Sequence, residues 1–82
     1  MNRRKLVGLL RKSIRESELE RREKLQLHIG LCFPGMRDAV LDHVEDELGE
    51  GSAQADGEII KIIIEHLPQI LQFIQSLMKL FS

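Results

Sequence analysis

The sequence predicts an all-α chain of three helices, about residues 3–29, 35–48 and 58–81, which assembles with further copies as an oligomeric helical bundle. Three observations predict it. Aromatics are only 4% of the 82 residues, with three Phe and no Trp or Tyr. Leu and Ile therefore supply the bulk, which suits helix packing. Apolar residues recur at helical spacing in three separate stretches. The last stretch carries more apolar surface than the other two helices, the second short and the first apolar only at its ends, are expected to cover. The alternative is a small α/β fold with short strands at 25–33 and 58–64. The length fits a single domain, 1–82. At 43% apolar and 30% charged residues, the chain lies outside the composition of disordered segments.

Residues 3–24 hold good helix formers, no Pro and one Gly, Gly8. Leu6, Leu10 and Ile14, with Val7 alongside, form an apolar stripe that fades into Ser17, Arg21 and Lys24. Lys12–Glu16 and Glu20–Lys24 are attractive i,i+4 pairs, and Glu16–Glu20 is a repulsive one. Beyond residue 15 the surface is polar nearly all round, with Leu19 the exception. In residues 25–33 Leu25, Leu27, Ile29, Leu31 and Phe33 alternate with other residues, a strand pattern. The helical reading continues the first helix to Ile29 and stops it at Gly30.

Pro34 suits a helix start, and Met36, Val40, Val44 and Leu48 then fall every fourth residue, widened by Leu41. Gly49 stops this helix, and 49–57 reads as a flexible loop, with Asp56 as N-cap of the next helix. In 58–81 the residues Ile60, Ile64, Leu67, Leu71, Ile74, Met78 and Phe81 follow an unbroken 4-3 spacing, a heptad seam. A second seam, one residue out of phase, runs through Ile63, Ile70 and Leu77. Pro68 removes one hydrogen bond and predicts a kinked, continuous helix.

At 1.5 Å per residue this last helix is ~36 Å long and the second only ~20 Å. The expected oligomer interface is therefore Ile60, Ile63, Ile64, Leu67 and Ile70, continued by Leu71, Ile74, Leu77, Met78 and Phe81. A net charge of −1 hides an uneven distribution. Residues 1–24 hold nine Lys and Arg against four Glu, a net of +5, and 25–58 hold one Arg against eight acids, a net of −7. Such neighbouring blocks pair within or between chains. Arg11, Lys12 and Arg15 are the expected cations, and Asp38, Asp42 and Glu45 the expected acids.

Chemistry leaves little trace. The glycines at 49, 51 and 57 precede no phosphate-binding Lys-Ser/Thr. No Glu-x-x-His of the di-iron bundles occurs. His43 with Asp46 or Glu47 reads as a solvated pair, His66 as a seam-edge histidine bonded to a neighbour, and Cys32 as a small buried hydrophobe. One cysteine supports no internal disulfide framework. The basic start followed by a short apolar run lacks signal-peptide length, and no stretch of ~18 uncharged apolar residues occurs. The expectation is a cytoplasmic, non-enzymatic, self-assembling protein–protein interaction module without cofactor or metal, using helix 58–81 as its association surface. Its partners are further copies or another helical protein. One alternative is a small nucleic-acid-binding regulator using 3–24, against which Glu16, Glu18, Glu20 and Glu23 interleave with the arginines. The other is a membrane-surface protein, against which the polar face of 58–81 offers mostly Gln, Ser and Glu.

Overall fold

The computed structural model describes residues 2–49 and 55–81. Four helices follow one another: α1 (Arg3–Glu16), α2 (Arg21–Gly30), α3 (Pro34–Leu48) and α4 (Asp56–Phe81). Among the described residues there is no strand, so neither 25–33 nor 58–64 forms one. The chain is all-α, and the expected first helix is in fact two.

The break lies at 17–20 and has local causes. Ser17 is buried, and its hydroxyl donates to the Ile14 carbonyl at 2.8 Å. Its backbone N–H turns back to the same carbonyl at 3.3 Å. The Lys24 ammonium reaches the Arg15 carbonyl at 3.1 Å. These bonds occupy acceptors that a continuing helix would have filled from its backbone. On the far side, the Glu20 N–H donates to the Glu23 carboxylate at 3.1 Å in a capping box. The break also separates Glu16 from Glu20, the repulsive pair of an unbroken helix. Asn2 caps α1, accepting from the Arg4 N–H at 2.8 Å.

α2 ends one residue later than expected, and Gly30 is its last helical residue rather than its left-handed stop. A Cβ there would lie 3.0 Å from both Ile74 Cδ1 and Cγ2, and 3.2 Å from Met36 Sδ. Glycine at this position thus lets α2 approach α4. Leu31 to Phe33 turn the chain into α3, whose first residue is Pro34. Gly49 closes α3 at φ 77°, a conformation that suits glycine. Most of the expected loop, residues 50–54, lies outside the described residues. α4 begins at Asp56, two residues early, so Asp56 is inside the helix and not its cap. α4 runs through Pro68 unbroken. Its 26 residues correspond to about 39 Å, and the molecule measures 39 × 25 × 18 Å.

The other three helices pack along α4, α1 most extensively. Lys5 pairs with Asp56 at 3.2 Å, while Glu16 to Leu19 lie beside Ile64 and Pro68. These contacts run α1 in the same direction as α4. His43 stacks on Phe73 with ring centroids 5.7 Å apart, and Glu47 lies 3.6 Å from His66. These run α3 the opposite way. The core holds Leu6, Leu10 and Ile14 from α1, Leu27 and Leu31 from α2 and the following turn, and Val40, Leu41 and Val44 from α3. From α4 it holds Ile59, Ile60, Ile63, Leu67, Ile70, Leu71 and Ile74.

Candidate association surface

The α4 seam, the expected oligomer interface, faces inward. Ile60, Ile63, Leu67, Ile70, Leu71 and Ile74 are buried by the chain's own helices. Ile64, Leu77 and Met78 are half-buried, and the Phe81 side chain is outside the described residues. The premise that intrachain helices fall short of covering this face is therefore corrected. The fold-back at 17–20 supplies a third helix, and with it the cover.

The charge pairs differ in the same way. Asp38, Asp42 and Glu45 gather around one guanidinium, that of Arg3, which hydrogen-bonds Asp42 and lies 3.1 Å from Glu45 and 3.9 Å from Asp38. The neighbouring acids hold Arg3 above its usual pKa, the bond to Asp42 foremost. Among the described residues no ion pair joins Arg11, Lys12 or Arg15 to an acid. The Arg11 guanidinium instead donates to His28 Nδ1 at 3.2 Å. That contact requires a neutral imidazole. The His28 pKa is lowered, first by burial and then by Arg11 and Arg15.

His66 sits at the α3–α4 edge, its Nδ1 3.3 Å from Gln69 Oε1. His43 Nε2 is buried without a hydrogen-bond partner among the described residues. No group of three or more potential metal ligands forms among them. No helix among them is long and apolar enough to cross a membrane. Cys32 is exposed, not buried, because it lies on the turn between α2 and α3.

Large apolar side chains remain uncovered in two places among the described residues: Leu80 near the end of α4, and a group on α2 and the turn after it. Leu25 is 58% exposed, Ile29 41% and Phe33 55%. Leu25 and Ile29 form a short ridge, one turn apart on the outward side of α2, and Phe33 lies on the turn that follows, as the extended residue before α3. Leu27 and Leu31, from the same alternating run, are buried on the opposite side. On a helix, positions two apart lie ~200° from each other. Strict alternation over nine residues thus makes two opposed stripes, and only one can face the core. Arg21 and Arg22, both exposed, border the ridge at its start. On α1 the outward sector carries the exposed Arg4, Gly8, Lys12 and Arg15 with no acid among them, and Arg11 beside them is half-buried against His28. The ridge is the feature that sequence reasoning missed. Its signal was the alternation itself.

Compared with protein-family models, curated proteins and solved structures, the chain matches none.

Proposed function

We propose that the protein is a non-enzymatic, self-assembling protein–protein interaction module whose association surface is the α2 ridge rather than the α4 seam. The ridge itself carries this reading. Single exposed apolar side chains are ordinary on a protein surface, but contiguous ones mark a contact. Leu25 and Ile29 are neighbours one turn apart on α2, Phe33 is exposed on the turn that follows, and the buried core forms without them. Assembly is then an added event on a folded monomer, not a condition of folding. Sedimentation from about 1 to about 200 μM, spanning weak to moderate association, tests this. The mass should rise above 9.5 kDa with concentration. Leu25→Asp together with Ile29→Asp should hold it at the monomer value with an unchanged melting curve. A wild-type mass fixed at the monomer value throughout would overturn the proposal.

A second reading, nucleic-acid binding, is favoured by one observation: the acid-free sector of α1. Gly8 sits within it with open space where a Cβ would be. An exposed mid-helix glycine weakens the helix, and it permits close approach of a partner backbone. Anisotropy with labelled duplex DNA distinguishes this reading. Affinity should fall steeply with salt if phosphates are the ligand. No binding at low salt would exclude it.

A further inference from the structure

α1 and α2 meet along a seam of basic side chains. Arg11 and Arg15 stand one turn apart on α1, and Lys24 and His28 one turn apart on α2. The helices run antiparallel there. The Arg11 guanidinium reaches His28 Nδ1 at 3.2 Å, and the Lys24 ammonium reaches the Arg15 carbonyl at 3.1 Å. Arg11, Lys24 and His28 are half-buried, and Arg15 is exposed. Like charges at i,i+4 repel along a helix, as Arg11 and Arg15 do, and Lys24 brings a third cation beside them. The His28 pKa is lowered first by burial and then by Arg11 and Arg15, with no acid acting against them.

Four glutamates interleave with this basic block in sequence, and the fold places all four elsewhere. Glu16 and Glu18 line a cleft beside Ile64 and Pro68 of α4. Glu20 and Glu23 close the capping box at the start of α2. Lys24 bonds a main-chain carbonyl rather than Glu20, one turn before it. Among the described residues, no acid lies within ion-pair distance of Arg11, Arg15, Lys24 or His28. Arg3, by contrast, gathers three acids around one guanidinium. The seam is thus an uncompensated cationic site. It offers two guanidinium forks and an ammonium beside an imidazole, the donors that an oxyanion takes.

We propose that the α1–α2 seam binds a phosphoryl group, held by Arg11, Arg15 and Lys24 with His28 beside it. The site is separate from the exposed Leu25 and Ile29 and does not depend on self-association. A terminal phosphoryl group carries a charge of about −1.5 to −2 near neutral pH and three strong acceptor oxygens. A carboxylate brings one charge and two oxygens, so three cations suit the phosphoryl group better. Guanidinium forks take phosphate oxygens in bidentate pairs. The bound dianion turns the repulsion between Arg11 and Arg15 into attraction to a shared partner. It also favours the protonated form of His28, whose ring then has no acceptor for Arg11 and becomes a donor to the anion.

Inorganic pyrophosphate is the probe, added to the full chain near pH 6.5, about the ordinary histidine value. Sodium chloride of matched ionic strength is the control. Pyrophosphate should shift the His28 ring resonances saturably, raise the His28 pKa and raise the melting temperature, and chloride should do none of these. Arg11→Gln with Arg15→Gln should melt at or slightly above the wild-type temperature without pyrophosphate, because the repulsion is gone. The same variant should bind pyrophosphate about tenfold or more weakly, through lost charge-assisted hydrogen bonds. Lys24→Gln keeps both arginines and should weaken binding by a smaller factor. An equal response to chloride would reduce the effect to screening and overturn the proposal. So would pyrophosphate binding that both variants retain in full. Binding of duplex DNA with no response to pyrophosphate would also overturn it, because the surface would then follow a polyanionic backbone rather than hold a phosphoryl group.

Discussion

Two apolar stripes of this chain have opposite fates. The stripe of α4, from Ile60 to Ile74, is longer and richer, and the other three helices cover it. The stripe of α2, Leu25 and Ile29 with Phe33 on the turn that follows, is shorter and stays outside. Hydrophobic content alone would have ranked them the other way as contact surfaces. The difference shows that periodicity identifies which face of a helix is apolar but not what covers it. Cover depends on where the chain turns back. Here the turn at 17–20 folds α2 beside α4, so α2 spends Leu27 and Leu31 on the core and leaves its other side to solvent.

The largest expected effect separates the two stripes directly. Leu71→Asp or Ile74→Asp places a charge among buried side chains with no partner. We expect a loss on the order of 4 kcal/mol or more, from lost packing and from the unpaired charge together. That is most of the stability of a small domain, so circular dichroism should report unfolded or partly folded chains. Leu25→Asp, on the outward ridge, should alter the unfolding free energy by about 0.5 kcal/mol or less. Equal losses at Leu25 and Leu71 would break the comparison, because they would place the ridge inside.

Much of the fold was legible. The fourfold spacing from Met36 to Leu48 marks α3, and the 4-3 spacing marks α4 across Pro68, because a helix that keeps its phase on both sides of a proline is one helix. The fading of the α1 stripe at Ser17 was legible too. The break behind it was not, for a physical reason: Ser17, Glu18 and Glu20 are compatible with a helix interior. The residues that end α1 act through bonds to Ile14 and Arg15, which spacing alone does not announce. The alternation at 25–33 was visible and misleading, since it satisfies a strand as well as a helix with two opposed stripes. Glycine roles were the least legible. Gly30 reads as a stop signal, yet it serves the approach of α2 to α4.

That approach gives a second, smaller effect. Gly30→Val would drive a side chain into the two Ile74 methyl groups and the Met36 sulfur. We expect a cost of about 1–3 kcal/mol from overpacking, read as a lower denaturant midpoint. Gly8 is the control, being helical, exposed and without neighbours at its missing Cβ. Gly8→Ala should raise stability by about 0.5–1 kcal/mol through helix propensity alone. A tolerated valine at Gly30 would mean that α2 sits farther from α4 than described, and both stripes of α2 would then need reassignment.

The smallest effect sharpens the boundary between the two stripes of α2, where His28 stands half-buried against Arg11. Its pKa is depressed by burial first and by Arg11 and Arg15 second. A base depressed on folding takes up its proton more readily in the unfolded chain. Its contribution is fully present above the unfolded value of about 6.5 and diminishes as pH falls below it, because stability rises with pH wherever the unfolded state holds more protons. We therefore expect the His28 ring to titrate below the ordinary histidine range in an NMR titration. The denaturant midpoint should decline on acidification below that range. Arg11→Gln removes the nearer cation and should raise the His28 pKa. The rise should stop short of the ordinary value, since burial between α1 and α2 is the larger cause. Full restoration in that variant would mean that the ring is solvated and that the inward stripe of α2 ends before His28. No change at all would mean that the contact between Arg11 and His28 does not persist in solution, leaving the α1–α2 pairing to the Lys24 bond and the apolar side chains.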